Sequence, residues 1–239
     1  MRDFHKTGRS LAVAQNGMAA TSHPRATLAA IDILRRGGNA IDAAVAAVAI
    51  QGVVEPQMTG IGGDCFALVS LGGGRPIALN GSGRTPAGTD AEKYAGGEAR
   101  DIPPTSPEAV TIPGAIDAWC TLIERHGSLP LAEVLAPAIE AAEQGFCVTP
   151  RVASDWRRFR ARIEIDPNAA AQFLPGGRVP RHRRCSRPAA ARRDAAQDRT
   201  RGAAPASTKA KLPKRWSPFC GSSAVRTAWM ILRRIAASM

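Results

Sequence analysis

The stretch Glu55 to Asp64, Glu-Pro-Gln-Met-Thr-Gly-Ile-Gly-Gly-Asp, limits what this chain can fold into more than any other. An apolar helical pattern runs into it and an apolar strand pattern runs out. Pro56 ends the helix by removing a backbone donor and fixing φ, while Gly60, Gly62 and Gly63 permit turns and close backbone approach that a Cβ would obstruct. Such a loop can offer bare N–H groups to an anion. Its spacing fits neither G-x-G-x-x-G nor G-x-x-x-x-G-K-[ST], so a glycine-rich turn without nucleotide function is the better reading.

Upstream of that loop, Ser10–Val13 and Met18–Thr21 read as short strands joined by the turn Gln15-Asn-Gly17. His23-Pro24 opens a helix whose Leu28, Ile31 and Leu34 recur at helical spacing, and Gly37-Gly38 ends it. Asn39 caps a second helix, with Asp42 three residues on in the manner of a capping box. Ala43, Ala44, Ala46, Ala47 and Ala49 leave this helix little bulk, which predicts a core helix packed on more than one side.

Downstream, Cys65–Leu71 and Pro76–Asn80 flank Gly72-Gly-Gly-Arg75 and predict a β-hairpin, followed by a turn at Gly81–Arg84. Pro103, Pro104 and Pro107 mark an extended linker. Amphipathic helices are expected from Ala115 to about His126 and from Leu131 to Gln144, and a shorter one around Val152–Arg160. Trp119, Trp156 and Phe159 read as core anchors.

Charge divides the chain unequally. Of its 32 Lys and Arg, 16 lie from Gly176 onward against only Asp194 and Asp198, so the tail carries +14 and the remainder −2. A basic tail invites an anionic partner, yet it has no recognisable nucleic-acid motif and no interleaved aromatics. The five cysteines show no C-x-x-C pair and no metal-ligand spacing, which predicts reduced thiols and no metal. Met1–Gln15 builds no apolar leader core, and the longest apolar run, Ala43–Ile50, falls short of the roughly 20 residues a bilayer needs. A cytoplasmic protein without membrane contact is the expectation.

Several motifs together carry a family likeness: Gly17-Met-Ala-Ala-Thr21, His23-Pro24, Ile33-Leu-Arg-Arg-Gly-Gly-Asn-Ala-Ile-Asp-Ala-Ala44 and Val54-Glu-Pro-Gln-Met-Thr-Gly-Ile-Gly-Gly63. It continues through Leu79-Asn-Gly-Ser-Gly-Arg-Thr-Pro86, Val110-Thr-Ile-Pro-Gly114, Leu129-Pro-Leu-Ala-Glu-Val-Leu-Ala-Pro-Ala-Ile139, Gly145-Phe146 and Thr149-Pro-Arg151. In this order the segments resemble the start of the large subunit of the gamma-glutamyltransferase family. The resemblance implies an α+β fold, part of the αββα sandwich of N-terminal-nucleophile hydrolases, left incomplete here with apolar faces and open sheet edges. It also implies a threonine nucleophile whose own amine carries its base, acting on γ-glutamyl or related acyl amides such as glutathione, with no cofactor.

The residues present limit what can be carried over. The family marks its nucleophile by Thr-Thr-His at the start of the small subunit, and the 239 residues contain no such tripeptide. No catalytic residue is therefore assigned, the chain alone is expected to be inactive, and the missing small subunit is the expected partner. In family members acting on glutamyl groups an arginine clamps the α-carboxylate as a bidentate fork. Anchoring the match on Pro86 puts Ser82 at that position, with Arg84 two residues away. Ser82 and Arg84 are thus the candidate substrate-binding residues, and Arg84 as a solvated turn arginine stays open beside that role. The departure points toward the branch acting on other amides. Asp64 and Glu55 flank the glycine loop and could orient substrate, though a capping or turn carboxylate is the better reading; His23 reads as a satisfied structural histidine, and His126 as a residue near a helix C-terminus.

The expected division is residues 1–176 as the family-like portion and 177–239 as a disordered basic tail. Family likeness stops near Gly176-Gly-Arg-Val-Pro180, where composition jumps to Arg, Ala and Pro. Regrouping the codons of Pro205–Trp216 by one frame admits Tyr-Glu-Gly-Glu-Val-Ala-Glu, which resembles a family helix start, so the tail is read as frame-shifted. A polyanion-binding protein acting through this tail and a non-catalytic interaction protein are the competing readings.

Overall fold

The computed structural model describes residues 11–90, 92–95 and 101–181, and the backbone of 185–186. In chain order its elements are α1 (Pro24–Arg35), α2 (Ala40–Val54), β1 (Cys65–Val69), β2 (Ile77–Gly81), the single turn α3 (Glu92–Ala95), α4 (Ala115–His126), α5 (Leu131–Gln144), β3 (Phe146–Cys147), α6 (Pro150–Ile163), α7 (Pro167–Phe173) and β4 (Cys185–Ser186). The greater part of the basic tail lies outside the described residues.

Helix α2 is the centre. Its capping box is complete: the Asn39 side-chain oxygen accepts the N–H groups of Ile41 at 2.8 Å and Asp42 at 3.1 Å, and Asp42 Oδ2 accepts the N–H of Asn39 at 2.8 Å. Eleven of its fifteen residues are buried, and only a narrow stripe of Ala40, Ala44 and Val48 reaches solvent. Small side chains make that possible, and α1, α4 and α5 all pack against it. Ile33, Val45, Val54, Val134, Leu135 and Val152 fill the core. Each such side chain contributes about 1.5–3 kcal/mol on burial.

Asp42 also ties α2 to a distant turn. Its carboxylate, fully buried, accepts the N–H of Ser128 at 2.9 Å through Oδ2 and lies 3.5 Å from the N–H of Leu129 through Oδ1. The Asn39 amide donates to the His126 carbonyl at 2.6 Å, which closes the end of α4 against the start of α2. Helix α5 ends at Gly145, whose φ of 86° only glycine adopts without strain.

Strands β1 and β2 form the expected antiparallel hairpin, with Cys65 opposite Gly81 and Val69 opposite Ile77. One face, carrying Cys65, Ala67, Val69 and Leu79, packs on α4 and the core. The other carries Phe66 and Leu68, which are 69 % and 82 % exposed. The outer edges of both strands lack ladder partners among the described residues. The second sheet of the expected sandwich is not among them; the only other pairing is the two-residue ladder of β3 with β4.

Several expectations are corrected. The strands expected at Ser10–Val13 and Met18–Thr21 do not form over residues 11–13 and 18–21, Ser10 lying outside the described residues: Leu11, Val13 and Met18 are 88 %, 84 % and 63 % exposed, and no described segment takes their backbone groups. Gly81–Arg84 is not a turn but continues outward from β2 against residues 111–114. The Pro103–Pro107 linker bends into a 3-10 turn at Pro107–Ala109, capped by the Ser106 hydroxyl. Helix α7 was not expected, although Asp166 caps it on the N–H of Ala169 at 2.8 Å and Pro167 opens it.

Candidate functional site

Three of the family-like motifs meet at one place. The carbonyl of Gly63 accepts the N–H groups of Gly114 at 3.1 Å and Ala115 at 2.9 Å, so the glycine loop holds the start of α4. The N–H of Ile112 donates to the carbonyl of Arg84 at 2.9 Å, joining the segment after β2 to the segment before α4. Asp64 Oδ1 accepts the N–H of Gly83 at 3.1 Å and the Thr111 hydroxyl at 3.3 Å. Loop 60–64, segment 81–84 and segment 111–115 are thereby one hydrogen-bonded unit.

Glycine is required there by contact. A Cβ on Gly81 would lie 2.6 Å from the Ala118 Cβ, one on Gly83 1.5 Å from the Ile112 carbonyl oxygen, and one on Gly114 2.3 Å from the Gly81 carbonyl oxygen. The two segments therefore pack backbone against backbone. Ser82 and Arg84, which alternate with these glycines, are both exposed. The Ser82 N–H is held by Asn80 Oδ1 at 2.9 Å. Neither side chain has a hydrogen-bond or ion-pair partner among the described residues. The sequence placed Asp64 as a turn carboxylate; its hold on Gly83 and Thr111, 19 and 47 residues away, had no local signal.

A second polar cluster closes the other end of the α1–α2 pair. Glu55, 4 % exposed, accepts the Ser22 hydroxyl in a short hydrogen bond and Gln51 Nε2 at 3.3 Å, and Gln51 also donates to Ser22 Oγ at 2.6 Å. His23 caps α1: its Nδ1 accepts the N–H of Arg25 at 3.1 Å. Its Nε2 is buried without a partner among the described residues, so the histidine expected to be satisfied is satisfied there on one nitrogen only. Burial pushes the His23 pKa below its ordinary value of 6.5, with Arg25 acting in the same direction and Glu55 opposing.

A stability prediction follows with a defined sign. The unfolded chain binds a proton on this ring at a higher pH than the folded chain does, so stability is complete above pH 6.5 and is lost as pH falls below it. Protonating Nδ1 also removes the cap on α1. His23→Asn, which caps without titrating, should flatten this part of the pH dependence in urea titrations between pH 7 and 5. An unchanged slope would refute the assignment.

Cys65 is half-buried beside Trp119. Burial pushes its thiol pKa up, against an opposing hydrogen bond with Trp119, which suits a reduced structural thiol. No group of three or more His, Cys, Asp or Glu able to hold a metal occurs among the described residues. No described helix is long and apolar enough to cross a membrane. A cleft of about 230 Å³, with Ile77, Leu79, Thr121, Arg125 and His126 in its walls, opens between β2 and the C-terminal end of α4, at the opposite end of that helix from Asp64.

Comparison with known proteins defines the class first. The chain superposes on the crystal structure of cephalosporin acylase from Bacillus halodurans with a TM-score of 0.70 and 41 % identity, over 77 % of this chain and 35 % of that one. It superposes on Helicobacter pylori gamma-glutamyltranspeptidase with a TM-score of 0.69 and 26 % identity, over 80 % and 56 %. The fold is thus a portion of an N-terminal-nucleophile hydrolase. The family model for gamma-glutamyltranspeptidase matches residues 26–193, and the chain belongs to that family. Among curated relatives, the acylase ACY 1 proenzyme of Pseudomonas sp. (strain V22) is 41 % identical over 175 residues, 70 % of this chain and 31 % of the relative. The chain spans about a third of the length of the curated relatives it matches.

Proposed function

We propose that this chain supplies the substrate-side part of an amide hydrolase or acyltransferase that works through a threonine acyl-enzyme, with an acyl group other than γ-glutamyl as its preferred substrate. The observation that carries this reading is the site around Asp64, where three family motifs converge and leave Ser82 and Arg84 exposed and without side-chain partners among the described residues. A guanidinium committed to no carboxylate among the described residues is available to an anionic or carbonyl-bearing acyl group. Ser82, at the position matched to the glutamyl-clamping arginine, offers one hydroxyl instead of a fork. Higher identity to an acylase than to a gamma-glutamyltranspeptidase supports the same direction.

The chemical step needs a nucleophile that these 239 residues do not mark by Thr-Thr-His. The partner on this reading is a polypeptide carrying that segment, the small subunit of the family. Purified alone, the 239-residue protein should turn over neither γ-glutamyl p-nitroanilide nor glutathione above a mock preparation. Co-expressed with the remaining portion of the Bacillus halodurans cephalosporin acylase, it should hydrolyse glutaryl p-nitroanilide faster than the γ-glutamyl compound. Turnover by the chain alone, or a preference for γ-glutamyl in the complemented enzyme, would overturn the proposal.

A further inference from the structure

We infer that Asp64 is the positioning residue of the substrate-side edge: by holding Gly83 and Thr111 it sets the path of the backbone from Ser82 to Arg84, and with it the direction in which those side chains are presented. The inference deepens the proposed function and rests on its reading of Ser82 and Arg84 as substrate-facing.

The geometry supports it in three ways. First, segment 81–84 leaves the hairpin at Gly81, beyond which no strand pairing fixes it. Its remaining holds are the Gly83 N–H on Asp64, the Arg84 carbonyl on Ile112 and the Ser82 N–H on Asn80. Among the described residues, only the Asp64 bond comes from a side chain of another segment. Second, Asp64 grips both sides of the backbone pair, Gly83 on one segment and Thr111 on the other, through a single oxygen. It therefore fixes the two segments relative to each other as well as to the glycine loop. Third, its carboxylate forms no ion pair with Arg84, only 20 residues away in sequence and on the very segment that it holds. The acid is committed to positioning, and no described carboxylate pairs with the guanidinium.

A carboxylate acting through hydrogen bonds differs from one acting through charge, because asparagine keeps the acceptor oxygen and loses the charge. Hydrogen–deuterium exchange of the 239-residue protein, followed by mass spectrometry, separates these roles. Asp64→Ala should speed exchange in peptides covering 82–84 and 112 by about tenfold, the scale of one lost hydrogen bond to a charged group, with α2 and α5 unchanged. Asp64→Asn should stay within about threefold of the parent, and Thr111→Val should fall between the two. Unchanged exchange at 82–84 in Asp64→Ala would overturn the inference. So would a uniform rise that includes α2 and α5, which marks a general loss of stability.

A second arm separates this inference from the proposed function. Glutarate, a dicarboxylate of the length of a glutaryl acyl group, should slow exchange at 82–84 in the parent and in Asp64→Asn but not in Asp64→Ala. If glutarate has no effect on the parent while Asp64→Ala still opens Gly83, the hold of Asp64 on this segment stands and its role in presenting substrate is overturned.

Discussion

Asp42→Ala should destabilise the protein by about 3–5 kcal/mol, a large share of the 5–15 kcal/mol that holds a typical domain together. The side chain is fully buried and accepts the N–H groups of Asn39 and Ser128, with that of Leu129 at the limit of hydrogen-bond reach. Deleting it removes hydrogen bonds to a charged acceptor, each worth about 1.5–3 kcal/mol, and strands donors where water has little access. Alanine also leaves the capping box of α2 with one half only. Far-UV circular dichroism in urea measures the effect. Asn39→Ala, which removes the cap but leaves Asp42 on the 128–129 turn, should cost less, about 1–2 kcal/mol. A loss below 1 kcal/mol for Asp42→Ala would show that the carboxylate is dispensable.

Gly83→Ala should have the next largest effect, about 3 kcal/mol. The added Cβ would meet the Ile112 carbonyl oxygen at 1.5 Å and its carbon at 2.7 Å, both backbone atoms that cannot swing aside as a side-chain end can. Segment 81–84 cannot retreat either without breaking the bond of Gly83 to Asp64 or that of Arg84 to Ile112. Gly88→Ala is the matched control. Nothing lies within 4 Å of its Cβ position, and its φ lies outside the glycine-favouring region. That substitution should change stability by no more than about 0.5 kcal/mol, toward stabilisation through the unfolded chain. Thermal melts of the two variants side by side would decide the matter, and equal midpoints would mean that the close approach does not exist.

What the sequence revealed was local, and what it concealed was not. Helices α4 and α5 begin and end where periodicity and flanking residues placed them, at Ala115, His126, Leu131 and Gln144. The capping box at Asn39 and Asp42 was readable because both of its bonds close within four residues. The hairpin was readable because three glycines separate two apolar runs. The strands expected at Ser10–Val13 and Met18–Thr21 do not form over their described residues, because apolar alternation says only that a segment can pair, not that a partner is beside it. Asp64 gave no signal of its hold on Gly83 and Thr111, since those partners are distant in sequence. The same holds for Ser22 on Glu55. Ser82 and Arg84 were singled out by family likeness; their exposure and lack of partners among the described residues became visible only when Gly81 and Gly83 were seen pressed against the neighbouring segment.

The bond from Asp42 to Ser128 also has a meaning for synthesis. Its two ends are 86 residues apart, so a ribosome adding about 5–20 residues per second delivers the second on the order of 4–17 s after the first. Through most of that interval α2 has its own cap but no closing turn, and the surfaces it buries against α4 and α5 have no cover. The nascent chain therefore passes through a stage in which its most apolar helix waits for the elements that enclose it, and the carboxylate of Asp42 is the latch that registers the completion of α4, just before α5 follows.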